Sequence, residues 1–255
     1  MSPNVLTLKR PANLLLSSLA PEDYAKLAPN LHTVTLELGT ILGGEADSRF
    51  AYFPVSCVVS LICEMEDGAT AEVALTGNEG VLGTSLFLSG QSTTNRAIVG
   101  IAGEAQRMDA QILRGQFMRC EAFQSALLKY TDALISQISN TAACNRRHTL
   151  EKRLCRWLLL LHDRASSNEF VMTQEFIANM LGGRRETVTV AAGHLQDAGL
   201  IHYTRGHLRI VNRPGLENYV CECYRNVRGE QARPPAQPVE VRQPLAKTRS
   251  SSALS

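Results

Sequence analysis

Two arginines and a glutamate, Arg184-Arg185-Glu186, directly follow the pair Gly182-Gly183. A guanidinium can pair bidentately with guanine O6 and N7, and a carboxylate can accept from cytosine N4. Side chains of these types at the N-terminus of an exposed helix therefore suit base edges in a major groove. The helix must present them outward. Val188, Ala191, Ala192 and Leu195 recur at helical spacing and supply a buried side, which leaves Arg185, Glu186 and Thr189 together on the outer one. Farther on, Thr204-Arg205-Gly206 lies between the runs Leu200 to Tyr203 and His207 to Val211. That pattern predicts a β-hairpin wing whose Arg205 and His207 can meet a phosphate backbone.

The elements that would position these groups are legible on either side. Thr173 is a good N-cap for a short helix to Leu181 whose Phe176, Ile177 and Met180 face inward. Gly182-Gly183 breaks it, and Arg184 to Ala198 resumes as a second helix, so the order is helix, tight turn, helix. Upstream, Leu150 to Ala165 predicts a helix with Leu154, Trp157, Leu158 and Leu161 on one face, closed by Ser166-Ser167-Asn168. Glu121 to Arg147 contains neither Gly nor Pro, and Leu127, Leu134, Ile138 and Thr141, with Leu128, Ile135 and Ala142 beside them, keep helical spacing. So long a helix is expected to pack against its counterpart in a second copy as a coiled coil; the alternative is burial against its own domain.

From about Leu31 to Met108 the chain is instead written in short β-like runs: His32 to Leu38, Phe50 to Phe53, Val58 to Met65, Ala71 to Leu75 and Ala97 to Ile101, separated by turn residues. Short strands at close spacing argue a sandwich, barrel or jelly roll. At the other end, Pro234, Pro235, Pro238 and Pro244 with Ser250 to Ser252 leave little to bury, and a disordered tail is expected from about Gly229.

Charge is distributed unevenly. Residues 1–140 hold 9 Lys and Arg against 14 Asp and Glu, whereas residues 141–255 hold 17 against 10. A basic C-terminal half behind an acidic N-terminal half is expected where only the former touches a polyanion. No apolar run is long enough to cross a membrane, and Lys9, Arg10, Pro3 and Pro11 interrupt the N-terminal stretch, so no secretory signal is read and the cytoplasm is the expected compartment. The seven cysteines, Cys57, Cys63, Cys120, Cys144, Cys155, Cys221 and Cys223, are odd in number and scattered, as reduced thiols would be. Cys221-x-Cys223 alone is half a metal site at best, and no metal site is assigned. An enzyme of cupin type would want a His-rich metal set, yet His32 is the only histidine before His148, so no enzymatic activity is expected.

Three segments resemble the Crp/Fnr superfamily of bacterial regulators, over about Leu14 to Val227: Gly77-Asn78-Glu79-Gly80-Val81-Leu82-Gly83, the connecting run Leu150 to Leu159, and Arg185-Glu186-Thr187-Val188. The resemblance implies a cupin-like jelly-roll effector domain, a long helix forming a homodimer, and a winged helix-turn-helix on a palindromic operator, with Arg185 and Glu186 reading bases. In the cyclic-nucleotide-responsive members a glutamate after glycine holds the ribose and an Arg-Ser or Arg-Thr pair binds the phosphate. Here Glu79 stands near the first position, but the second region reads Gly90-Gln91-Ser92-Thr93-Thr94-Asn95-Arg96-Ala97, with Arg96 the only arginine. A one-residue shift along a strand turns a side chain to the other face, which argues against cyclic-nucleotide binding. With no cysteine before Cys57, the N-terminal iron–sulfur cluster of the oxygen-sensing members is not expected either. Val190 stands where the cyclic-AMP receptor subgroup has a third base-reading arginine, so a different operator is expected.

The expected architecture is α+β: an N-terminal β jelly-roll sensor over residues 1–120, a dimerisation helix over 121–147, a winged helix-turn-helix over 148–228 and a disordered tail over 229–255. Thr173, Arg184, Arg185, Glu186, Thr187, Thr189, Arg205 and His207 are the candidate DNA contacts. Gly77, Glu79, Gly80, Gly83 and Arg96 are candidates for an effector pocket. The expected partners are double-stranded DNA, a second copy of the chain and RNA polymerase, with no membrane; no cofactor is evident. The alternative is a small-molecule-binding module whose helix-turn-helix serves protein contacts only.

Overall fold

The computed structural model describes residues 11–43, 49–90, 96–165 and 167–231. After two short helices, α1 (Leu14–Ser17) and α2 (Pro21–Leu27), the N-terminal half is antiparallel β-structure: β1 (His32–Leu36), β2 (Ile41–Leu42), β3 (Phe50–Pro54), β4 (Val58–Glu64), β5 (Thr70–Thr76), β6 (Arg96–Ile101) and β7 (Gly103–Asp109), with α3 (Thr84–Leu88) between β5 and β6. One sheet has the order β1-β7-β3 and the other β2-β6-β4-β5. Leu36, Tyr52 and Ala105 from the first pack with Leu42, Val59, Ala97 and Val99 from the second, which makes the jelly-roll core. The five predicted strands are present, and β2 and β7 join them. β7 reads Gly-Glu-Ala-Gln-Arg-Met-Asp, too polar to stand out as an apolar run, and is a strand because it pairs on both sides, with β1 and with β3.

β4 buries Val58, Val59, Ser60 and Ile62, because both of its faces are covered there. Val59 faces the jelly-roll core with Leu61 packed against it. Val58 and Ile62 instead join the core of the C-terminal half, together with Leu75 of β5. The alternation of side chains along a strand serves both cores, and the register shifts beside Val59 and Ile62 fall to the partner strands β6 and β5.

A capped helix, α4 (Ala110–Arg119), leads into α5 (Glu121–Arg147), whose bounds coincide with those read from the sequence. Its apolar residues separate into two stripes. Phe123, Leu127, Leu134, Thr141 and Cys144 are buried within the chain. Leu128, Ile135 and Ile138 stay outside, Ile135 at 58% exposure. The helix is thus a core helix along one side, and its other side carries an exposed apolar seam.

α6 (Leu150–Arg164) begins at the Thr149 cap, and every residue from Leu154 to Leu161 is buried, not the single face expected. It lies between β5 of the jelly roll and the elements that follow: β8 (Glu169–Val171), α7 (Gln174–Leu181), α8 (Arg185–Asp197), β9 (Ile201–Thr204), β10 (His207–Ile210), α9 (Arg213–Tyr219) and α10 (Glu222–Gln231). β8, β10 and β9 form the third sheet, in that order. β8 was not expected as a strand; Phe170 anchors its three residues in the core while Arg209 and His207 pair with its edges. α10 runs through Gln231, past Gly229 where the tail was expected to begin, and the rest of that tail lies outside the described residues.

Candidate nucleic-acid interface

Thr173 Oγ1 accepts from Phe176 N at 3.1 Å and caps α7, as its residue type and position predict. The helix stops at Gly182, whose φ of +57° places it in the left-handed region that glycine enters without strain. The chain re-enters helical geometry at Arg185, with Arg184 extended at the N-cap. Val188, Ala191, Ala192 and Leu195 are buried beneath α8, so Arg184, Arg185, Glu186, Thr187, Thr189 and Val190 are exposed. The sharp turn and the buried stripe together decide which way the first turn faces.

The wing closes with Arg205 and Gly206 both at positive φ, +51° and +83°. This is the two-residue hairpin geometry that matches strand twist. Holding a non-glycine residue there costs of order 1 kcal/mol, and it aims the Arg205 side chain from the tip. Thr173, Gln174, Glu175, Arg185, Tyr203, Arg205 and Gly206 line one open recess of about 530 Å³ between helix and wing. His207 and Arg205 line a second, of about 410 Å³, on the outer side of the wing. Arg185 and Arg205, far apart in sequence, thus share one concavity.

Gln174 and Tyr203 were not singled out from sequence. The Thr189 hydroxyl lies 2.8 Å from Gln174 Oε1 and 3.0 Å from the Arg185 carbonyl, so Gln174 braces the outer face of α8. Tyr203 Oη donates to the Met172 carbonyl at 3.0 Å; burial pushes its phenol above the ordinary value while Arg185 pulls the other way, so it is a neutral donor. Gln174 could have been read as the first residue after an N-cap, where helix ends approach phosphates. Tyr203 carried no such signal.

Residues 152–219 match the Crp-like helix-turn-helix domain family. The chain carries a Crp-like helix-turn-helix domain. FixK2 from Bradyrhizobium japonicum superposes with a TM-score of 0.63 at 20% identity, over 75% of this chain and 98% of that one. A CRP-family transcriptional regulator from Thermus thermophilus gives 0.60 at 17%, over 73% and 95%. The c-di-GMP-responsive global regulator CLP of Xanthomonas campestris gives 0.59 at 16%, over 75% and 99%. No curated protein matches the chain.

The candidate effector residues fall in three places. Gly77, Glu79 and Gly80 sit where the jelly roll meets α5 and α6. Arg164 Nε donates to Glu79 Oε1 at 2.7 Å in an ion pair whose arginine is only 4% exposed, and Gly77 N donates to Glu79 Oε2 at 3.1 Å. A Cβ on Gly80 would stand 2.1 Å from the Tyr130 ring of α5. Gly83 caps α3 at a φ of +92°. Arg96 pairs with Glu64 at 3.0 Å where β6 begins and β4 ends, both side chains exposed; residues 91–95 lie outside the described residues.

The polar contacts tying the two halves together were also not anticipated. Trp157 Nε1 donates to Glu72 Oε2 at 2.9 Å. Gln137 Nε2 donates to the Leu75 carbonyl at 2.9 Å, and Arg156 Nη1 donates to Thr141 Oγ1 at 3.2 Å. Burial pushes the Glu72 carboxyl up to about 7, against the opposing pull of its hydrogen bonds and of Arg156 and Arg164. A glutamate alone in an apolar strand gives no hint of such a partner, because the partner lies 85 residues away.

Proposed function

We propose that the chain is a sequence-specific, DNA-binding transcription regulator that acts in the cytoplasm as a homodimer on a palindromic operator, under a signal received by the jelly roll. The observation that carries this is the outward first turn of α8 sharing a recess with the wing: Arg185 and Arg205 meet on one concave, open surface. Arg184, Arg185, Glu186 and Thr187 are the groups for base edges, with Thr189 held by Gln174 beside them. Arg205, His207 and the exposed α7 cap at Thr173 suit phosphates, which fix register without reading sequence. The excess of basic residues in this half supports the same reading.

The exposed seam of Leu128, Ile135 and Ile138 on α5 supports pairing with the same helix of a second copy. A twofold pair of heads would place half-sites about 34 Å apart, one helical turn. A signal acts by binding one arrangement of the heads better than another. The ion pair Glu79–Arg164 and the bond Glu72–Trp157 join the jelly roll to α6 and are the contacts through which such a bias would pass. RNA polymerase is the partner a regulator bound beside a promoter would recruit or exclude.

Selection from random duplexes with the full-length protein tests the reading. Enrichment of an inverted repeat with centres about 10 bp apart is expected. Recovery of no palindrome at low salt would overturn it.

A further inference from the structure

Four potential metal ligands converge where α5 ends and α10 begins. Cys144 lies on the inward stripe of α5, and His148, one turn on, is the residue that caps that helix. Cys221 immediately precedes α10, and Cys223 is in its first turn. The three thiols are buried, and the four donor atoms all lie within 4.8 Å of one another. We propose that Cys144, His148, Cys221 and Cys223 form a tetrahedral site for one divalent metal ion of zinc type, tying the last helix to the end of α5.

The distances fit a single ion. Metal–sulfur bonds of about 2.3 Å and metal–nitrogen bonds of about 2.0–2.1 Å at tetrahedral angles put two thiolates about 3.8 Å apart, and a thiolate and an imidazole nitrogen about 3.6 Å apart. Cys144 Sγ and Cys221 Sγ are 3.7 Å apart, and Cys223 Sγ and His148 Nδ1 are 3.6 Å apart. These are two opposite edges of the tetrahedron, sharing no atom. The other ring nitrogen of His148, Nε2, faces Glu222 Oε2 at 3.5 Å. A carboxylate behind a histidine in this way fixes the ring and leaves Nδ1 free to ligate. Three thiolates around a divalent ion leave one net negative charge, and two partly or wholly buried guanidiniums, Arg153 and Arg156, act electrostatically on Cys144. The Nε of each has no hydrogen-bond partner among the described residues. Soft thiolates with one imidazole select zinc over magnesium or calcium. The sequence concealed the set because its halves are more than seventy residues apart and only Cys221-x-Cys223 reads as a motif.

This inference does not depend on the DNA-binding reading. Its test is a metal titration of full-length protein, reduced, stripped with a chelator and exposed to cobalt(II), then zinc(II). One equivalent of cobalt per chain is expected, with the intense visible bands of tetrahedral cobalt and a thiolate charge-transfer band, both abolished by zinc. Zinc should also raise the thermal midpoint. Cys221→Ser and Cys223→Ser should each weaken binding by about 100-fold or more, and Glu222→Gln by about 10-fold, while Cys63→Ser, outside the set, should bind as the parent does. Circular dichroism separates a lost ligand from a lost fold, and the parent titration needs no variant. Absence of cobalt binding by the reduced parent, an octahedral spectrum, an equal loss in Cys63→Ser, or recovery of Cys144 and Cys221 as a disulfide from protein kept reduced would each overturn the proposal.

Discussion

Glu72 offers a perturbation whose size and sign both follow from its surroundings. It sits on β5, buried, with Trp157 Nε1 donating to it from α6, and burial raises its carboxyl from an ordinary 4.5 to about 7. The folded chain therefore holds this proton more tightly than the unfolded chain does. The associated stability is fully present below about pH 4.5, declines as the pH rises, and is gone above about 7. At about 1.4 kcal/mol per tenfold in proton affinity, the difference amounts to about 3 kcal/mol. Glu72→Gln retains an oxygen for the Trp157 N–H and cannot ionise. In urea unfolding, the variant should therefore be up to about 3 kcal/mol more stable than the parent at pH 8, with m unchanged, and the gap should close on acidification to pH 4.5. Titration of every other carboxylate cancels in this comparison. A constant offset between the two proteins across the range would refute the reasoning, because it would mean that Glu72 does not change its proton on unfolding.

The remaining predictions concern the reading head, the seam and one close approach. Arg185→Ala should cost about 1–3 kcal/mol on the selected operator and relax one base position, whereas Arg205→Ala should weaken all duplexes alike and lower the salt slope by about one, both read by fluorescence anisotropy. If α5 pairs two copies as proposed, Ile135→Asp on its exposed side should sediment as a monomer with the fold intact; its buried neighbour Leu134→Ala should instead cost about 2–5 kcal/mol in unfolding. Gly80→Ala drives a methyl group into the Tyr130 ring, and calorimetry should show a loss of about 1–3 kcal/mol or more.

Much of the reading head was legible because its signals are local. A cap at Thr173, a break at Gly182 and a four-residue apolar stripe from Val188 to Leu195 are sufficient to orient Arg185 and Glu186, since helical geometry needs only near neighbours. The wing was legible for the same reason, in the turn at Arg205-Gly206. What escaped was set by distant partners. β7 is polar and becomes a strand through pairing on both sides, and α6 is buried all round because two halves of the molecule enclose it. Leu127 and Leu128 are adjacent, of one type and equally suited to an interior, yet only the fold assigns one inward and the other out. Glu79, a candidate for the effector pocket, also pairs with Arg164 from the opposite half, which residue spacing could not express.

The enclosure of α6 bears on how the molecule can move. Val58, Ile62 and Leu75 of the jelly roll belong to the same apolar cluster as Trp157, Phe170, Leu195 and Leu208 of the reading head. Among the described residues this one cluster spans both halves, so they are not two freely jointed bodies. Any swing of one half against the other must strip oil from oil along β4 and β5, or else carry those strands with it. A fragment starting at Thr149 would leave the underside of α6 bare and should aggregate sooner than bind DNA.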